Sequence, residues 1–516
     1  LSKKGAAMNK NWRIALVVAS TGGIARADDV TSHSYLAQRQ FFQSADPIRE
    51  SFFRNDVMEA RIDGWGGAFQ IVPFGGKSYN ESDIAKYFMP FGKTSLSVVE
   101  FQNNTATPDG AANRDLEARH FNIETNNSVT FEESDVPNSF QSVISFCPKQ
   151  TVVGVGFEWK QALCRRDDDS VRFYFEASFP FVHVENNMNL TERIINDGNG
   201  AVDALGLDNA PRVANMTQAF RQASWKFGKV PGCTLVKNGV SDLELKLGWN
   251  TIDSEMCHMN TYVGIIVPTG DRPTGEFLFE PVTGPHHTGV QWGNNIGFEV
   301  WSCRDHMVTF EIDTNARYLF RADEVRSFDV YDQSWSRYKE VYRNQEEAQA
   351  ALSAGSSGAG TSGINVFTKC LEVSPRYRVT SNSAFVYKYC HFMGEIGYNF
   401  YAAHAEEVNL CKWNEEVQFK DISGLGNTNI ARTIRNNFTN EAIALANYSP
   451  IPKSQLNLES AATPAVLTNI IYGSIGYNWG DRCYPTFVSI GGSVEFTQAN
   501  TALNRWMVWG KMGVSY

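Results

Sequence analysis

The sequence lacks any apolar run long enough to be a membrane helix. Such a helix needs roughly 20 consecutive apolar residues, and the longest run near the start is Ile14 to Ala19. There is no C-x-x-C pair and no zinc-type cysteine or histidine spacing, so no resident metal is expected. G-x-S-x-G and H-E-x-x-H are also missing. Gly358 to Gly363 fits G-x-G-x-x-G, but it follows no strand-like segment and opens no helix, so the match is compositional. His286-His287 reads as a solvated pair and Asp167-Asp168-Asp169 as a solvated turn. The chain therefore reads as a non-enzyme with no cofactor. Basic residues are scarce, 46 against 56 acidic ones for a formal charge of −10, which argues against a nucleic-acid partner.

Secretion signals are present. Lys10 and Arg13 make a basic region, Ile14 to Ala19 an apolar centre, and Ala25-Arg26-Ala27 an A-x-A cleavage site. Residues 1–27 are read as a signal peptide, with 1–7 a start artefact ahead of Met8. Cleavage would leave 41 basic against 56 acidic residues, a charge of −15. All nine cysteines lie beyond residue 27, in a chain sent to an oxidising compartment, and an odd count leaves at least one thiol unpaired or joined to another chain.

From residue 63 onward the pattern has a period of 2, which places alternate side chains on opposite faces of a strand. Residues 28–62 lack it and are read as a periplasmic lead-in or a lumen plug, with a short helix within 44–54. The clearest hairpin spans 151–183. Val153, Val155, Phe157 and Trp159 alternate with Gly154, Gly156, Glu158 and Lys160. After a charged turn, Phe173, Phe175, Phe179 and Phe181 alternate with Arg172, Tyr174, Glu176 and Ser178. These strands exceed the usual globular length and match the roughly 9–11 residues of a tilted membrane strand. The same text recurs around 243–267, 290–321, 367–379, 392–400, 467–479, 487–498 and 503–516. Shorter alternations at 64–72, 95–102, 118–125 and 140–147 are read as earlier strands. Short connections near 163–169, 252–256, 303–306, 380–390 and 480–484 alternate with long ones near 184–240, 268–289, 331–365 and 404–466. That segregation suits an outer-membrane barrel, with short turns on one side and long loops on the other. Thr217 to Phe227 and Asn344 to Ser353 are predicted helices within long loops, the first folding into or over the pore.

The last strand, Leu503 to Tyr516, places Trp506, Val508, Gly510, Met512, Val514 and Tyr516 on one face. Its aromatic end resembles that of outer-membrane β-barrels of Gram-negative bacteria, whose final strand carries an insertion signal. The resemblance implies that Met512, Val514 and Tyr516 serve the barrel-assembly machinery. Signal peptide, alternation and loop parity likewise resemble porins. The nine cysteines are similar, more weakly, to the cysteine-rich major outer-membrane proteins of chlamydia-like intracellular bacteria. That likeness implies disulfide-linked envelope partners or a homo-oligomer.

The expected fold is thus an all-β, transmembrane, antiparallel up-and-down barrel over 63–516, of about 16 strands (14–18) with short loop helices. Its outer face would meet outer-membrane lipid. Its lumen would be lined by Glu158, Lys160, Arg172, Glu176, Asp242, Glu244, Lys246, Glu299, Glu311, Asp313, Arg317, Arg321, Glu395, Glu495, Arg505 and Lys511. So many ions in a dry core would be prohibitive, so a wet interior is expected. The expected function is a porin-like channel for passive diffusion of small hydrophilic solutes or ions. The competing reading is a surface adhesin whose barrel anchors its long loops. A transporter of lipids or hydrophobic solutes fits the charged inner faces less well.

Overall fold

Backbone groups in a strand must all find partners, and an open edge leaves a row of them unpaired. The computed structural model of the chain shows how this is met. It describes residues 32–50, 66–99, 115–123, 140–165, 171–198, 205–254, 256–331, 333–348, 360–420, 448–480, 482–497 and 501–516. Twelve strands form a closed antiparallel barrel: β1 Gly67–Ser78, β2 Lys149–Arg165, β3 Val171–Asn187, β4 Leu243–Ser254, β5 Cys257–Val267, β6 Gly289–Cys303, β7 His306–Leu319, β8 Arg376–Tyr389, β9 Phe392–Ala403, β10 Val466–Trp479, β11 Thr486–Thr497 and β12 Arg505–Ser515. Each pairs with its neighbour in sequence. β12 returns to β1, from Ala68 opposite Ser515 to Ser78 opposite Arg505. A further strand, Leu235–Val240, pairs with the end of β3 outside the ring.

Alternation sorts the faces. Phe173, Phe179 and Phe181 on β3, Leu247 on β4, Ile265 on β5, Phe385 on β8, Ile396 on β9 and Ile490 on β11 are exposed on the outside. Their neighbours Tyr174, Glu176, Ser178 and Lys246 are buried inside. Several inward rings pack against glycines of a neighbouring strand: Tyr174 against Gly248, Tyr262 against Gly293, Tyr472 against Gly397 and Trp509 against Gly491. Each of these glycines leaves the space that the ring fills.

The barrel has twelve strands, fewer than the 14–18 expected. The difference lies in the first long connection. The alternations at 95–102 and 140–147 form Ser95–Val99 and Gln141–Ser145, which pair with Leu116–Glu117 and Thr191–Asn196 in a separate four-stranded sheet. The 118–125 alternation is instead a 3-10 turn, Ala118–Phe121, ended by left-handed Asn122. A period of 2 specifies a strand with two unlike faces, and a loop sheet satisfies it as well as a barrel does. The strand expected at 367–379 is split. Thr368–Ser374 joins Ala322–Ser327 and Glu407–Asn409 beyond the barrel end. Pro375, which lacks an N–H, and left-handed Arg376 (φ 61°) then turn the chain into β8. Residues 380–389, expected in a short connection, lie within β8, and the turn is only 390–391.

One expected helix is shorter than anticipated, and the other is described only at its start. Only Met216–Ala219 is helical in the 217–227 region, capped by Asn215. Helix begins at residue 345 in the other, with Asn344 Oδ1 accepting from Glu347 N–H, and its later residues fall outside the described ones. The long connections pack together at one end of the barrel. Phe88, Phe121, Phe146, Phe220, Trp225, Phe279, Trp335 and Tyr338 are buried in one cluster there.

Residues 32–50 run from this cluster into the barrel interior. Ser34 N–H donates to the Ser460 carbonyl in the mouth, and the Pro47 carbonyl accepts from Lys511 of β12 deep inside. Phe42 stacks on Phe74 of β1 and covers Gly156 of β2. The helix Pro47–Glu50 lies within the region where a short one was expected.

Cys257, Cys303, Cys390 and Cys483 lie at the short-turn rim, and Cys147, Cys233, Cys370 and Cys411 on the long-loop side; these eight are free. Strands of about a dozen residues, each rising about 3.4 Å, separate the two sets, while a disulfide needs Cα atoms within about 7 Å. Non-reducing peptide mapping of oxidised protein should therefore yield no intramolecular bond between the sets. A Cys370–Cys483 link within one chain would contradict the barrel.

Candidate functional site

Parity predicts a wet interior, because so many charges would be costly in a dry one. The structure meets that constraint differently. Most of the inward ionic groups are buried and neutralised by one another and by residues 32–50. Arg49, fully buried, donates from Nε to Glu158 at 2.6 Å and reaches Glu244 from Nη1 at 3.3 Å, while its Nη2 binds Glu176. Glu176 also accepts from Lys246 at 2.7 Å, and Glu244 from Arg317 at 2.7 Å. Ser44 donates to Glu244 at 2.8 Å, and Gln70 to Glu158 at 2.8 Å. Lys246 sits over the Tyr262 ring, and Lys160 over Tyr174. Strands β2, β3 and β4 supply the three carboxylates at adjacent inward positions, and the N-terminal segment supplies the central cation.

The other sequence-predicted lining residues distribute along this inner face. Glu311 pairs with His258 at 3.2 Å, and Asp313 accepts from Asn295 at 3.4 Å. Glu395 accepts from Ser474 at 2.8 Å, and Glu495 pairs with Arg505 at 3.1 Å. Lys511 donates to the Pro47 carbonyl at 3.0 Å. Glu299 is half-buried opposite Thr309 on β7. Arg321 does not face the lumen. It lies past the end of β7, largely exposed, and pairs with Glu372. Asp242 precedes β4 and accepts from Gly270 N–H at 3.0 Å in the mouth rather than from the barrel wall. In both cases parity was extended beyond the strand that enforces it. The side chains of Arg172 and Cys164 and the 167–169 acids lie outside the described residues.

Sequence reasoning did not single out Arg39, Ser44 or Arg49. The usable signal was the acidic excess of Glu158, Glu176 and Glu244 over Lys160 and Lys246, which requires a cation from elsewhere. It also missed the mouth network. His287, expected to be solvated, is buried and pairs with Glu324 at 2.9 Å. Arg326 pairs with Glu324 at 2.8 Å and with Glu406, and stacks over Tyr35. Burial alone would push the Glu324 carboxyl up, but Arg326 and His287 more than reverse this and hold it at about 2. His33 donates from Nδ1 to the Ala462 carbonyl, stacks on Tyr87, and is pushed by burial down to about 4. Among the described residues no three His, Cys, Asp or Glu side chains converge as metal ligands.

No family model and no curated protein matches the chain. Solved structures do. An outer membrane channel from Pseudomonas putida F1 aligns at 8% identity over 87% of this chain and 95% of its own, with a TM-score of 0.37. The transport unit of the autotransporter AIDA-I from Escherichia coli aligns at 6% identity over 87% and 89%, TM-score 0.29. A Pseudomonas aeruginosa FadL homologue aligns at 9% identity over 94% and 97%, TM-score 0.27. TM-scores this low say nothing of what this chain carries or binds.

Replacing Arg49 with Ala leaves three carboxylates facing one another without their shared cation. Breaking a buried ion-pair network by removing one partner costs roughly 3–5 kcal/mol. Urea unfolding in detergent should show a loss of that order, and an unchanged midpoint would mean that Arg49 does not hold the segment. Acid should loosen the mouth in two steps. His33 is harder to protonate folded than unfolded, so stability falls as pH drops from 6.5 towards 4. The ion pairs of Glu324 are lost only as pH falls below 4.5 towards 2. Between pH 7 and 4.5 the His33 effect amounts to roughly 2–3 kcal/mol. His33→Asn should flatten that upper window in unfolding midpoints; an unchanged slope would assign it to other groups.

Proposed function

We propose that the protein is an outer-membrane channel for small hydrophilic solutes or ions, held shut at rest by its own N-terminal segment. The observation that supports this most is the latch of Arg49 on Glu158, Glu176 and Glu244. A barrel serving only as a wall can fill its centre with apolar side chains. This one is lined with charge and carries, on a separate segment, the cation that compensates it. A polar interior that opens when the segment moves would be a hydrated path. The exposed apolar outer band suits hydrocarbon, and the interior offers little to a lipid-like solute. In this reading Met512, Val514 and Tyr516 address the barrel-assembly machinery, and the rim cysteines are available to crosslink envelope partners or a second copy.

One feature favours a second reading, a surface binding protein anchored by its barrel. The long connections do not hang loose but pack Phe121, Phe220, Trp225, Trp335 and Tyr338 into a continuous core. Such a cap is itself a platform.

Planar-bilayer recordings separate the two. The full-length protein is expected to show low or intermittent conductance, and Arg49→Ala to raise it clearly. If neither passes current, the anchor reading stands instead. Membrane embedding is tested separately by Phe175→Arg on the outward face of β3. Near the bilayer midplane Arg costs about 2–4 kcal/mol, so insertion into vesicles and heat-modifiable gel mobility should both suffer. Unaffected insertion would remove that face from lipid.

A further inference from the structure

We infer that the long-loop mouth holds a binding site for a small oxyanion, a carboxylate or a phosphate, centred on Arg378. Two small clefts flank the segment around Ala37 to Arg39. Both are lined by Gln38, Arg39, Arg378 and Glu406. Arg378 is only 6% exposed. Among the described residues it has no hydrogen bond and no ion pair.

Its neighbours repeat the deficit. Arg39 Nε and Nη1, Arg505 Nη1 and Thr468 Oγ are buried without a hydrogen-bond partner, and all three residues line the larger cleft. The planes of two of these guanidinium groups are held by stacking, Arg39 over Tyr401 and Arg505 over Phe41. Nearby carboxylates are already engaged. Glu406 accepts from Arg326 and from Thr463 N–H, Glu495 pairs with Arg505 and lies 3.6 Å from Arg39, and Glu324 serves Arg326 and His287. Asp46 lies 3.9 Å from Arg39. None of them is an ion-pair partner of Arg378. Across the β7–β8 pairing Arg378 faces Arg317, whose guanidinium is spent on Glu244, Asn315 and Gln40.

Buried donors without acceptors are costly, and a charged one most of all. Arg39 Nη1 leans on Glu495 and Nη2 donates to Asn399, but Arg378, together with Arg39 Nε, Arg505 Nη1 and Thr468 Oγ, leaves donors around one cleft for an acceptor-only ligand. A planar guanidinium suits the paired oxygens of a carboxylate or phosphate. A cation would meet further positive charge, and a neutral apolar solute would leave the donors unmet.

This deepens the channel reading by naming its solute class, but binding is measured without current, so either can fail alone. The full chain, folded in detergent micelles, is dialysed to equilibrium against labelled inorganic phosphate and, separately, labelled acetate. Saturable binding of at least one anion is expected, weakened about ten-fold or more in Arg378→Gln, which removes a charged donor. Arg321→Gln, at an exposed position, should bind as the parent does. Absence of saturable binding for both anions, or equal binding by Arg378→Gln, overturns the proposal. Should Arg378→Gln not fold by heat-modifiable mobility, Thr468→Val decides in its place: weaker binding supports the site and unchanged binding overturns it.

Discussion

Charge inside a closed wall is the constraint on which the rest depends. A barrel removes the edges of its sheet, yet alternation then forces every second side chain into a confined space. In this chain those side chains include Glu158, Glu176 and Glu244 on three adjacent strands. Their mutual repulsion and loss of hydration have to be offset locally, because a buried charge without a partner is among the least favourable groups a protein can hold. Lys246 and Arg317 offset part of it from the wall. Arg49 completes the network from a segment that precedes the barrel in sequence, and so the N-terminal chain becomes part of the barrel's interior.

The position of that segment links the two ends of the molecule. Its deep part is fixed by ionic and backbone contacts, with Lys511 on the Pro47 carbonyl and Asn399 on the Ala45 carbonyl. Its upper part is fixed by the loops, with Arg337 bridging Asp329 and the Ser32 region and Tyr87 donating to the Tyr35 carbonyl. Leu36 belongs to the same buried cluster as Trp335 and Tyr338. A displacement of the segment therefore has to disturb either the latch below or the cap above. Between these anchorages lies the stretch around Arg39, whose Nε lacks an acceptor and where the clefts open.

Much of the barrel was legible from residue order because a strand carries its own record of which face is wet. The hairpin 151–183 is the plainest case: Phe173, Phe179 and Phe181 point out and Glu176 points in, as their parity requires. Long and short connections still alternate along the chain, since antiparallel neighbours need only a tight turn at one end, although the short connection expected over 380–390 shrinks to 390–391. Where parity was read past a strand end, as at Arg321 and Asp242, it failed, because nothing outside the ladder enforces it. Strand number was overestimated for a related reason. Residues 95–102 and 140–147 alternate like wall strands, and the pattern does not say which sheet they will join.

The sequence by itself determined the alternating faces, the order of the strands and the sides on which the connections lie, since each follows from contacts between neighbours in the chain. Only the tertiary structure decided that the ring closes at twelve, with β12 against β1. Only it brought Arg49 to carboxylates on β2, β3 and β4, buried His287 against Glu324, and left Arg378 without a partner among the described residues. Those pairings join residues tens to hundreds of positions apart. Their partners are chosen by distance and desolvation inside the closed barrel, which no local pattern encodes.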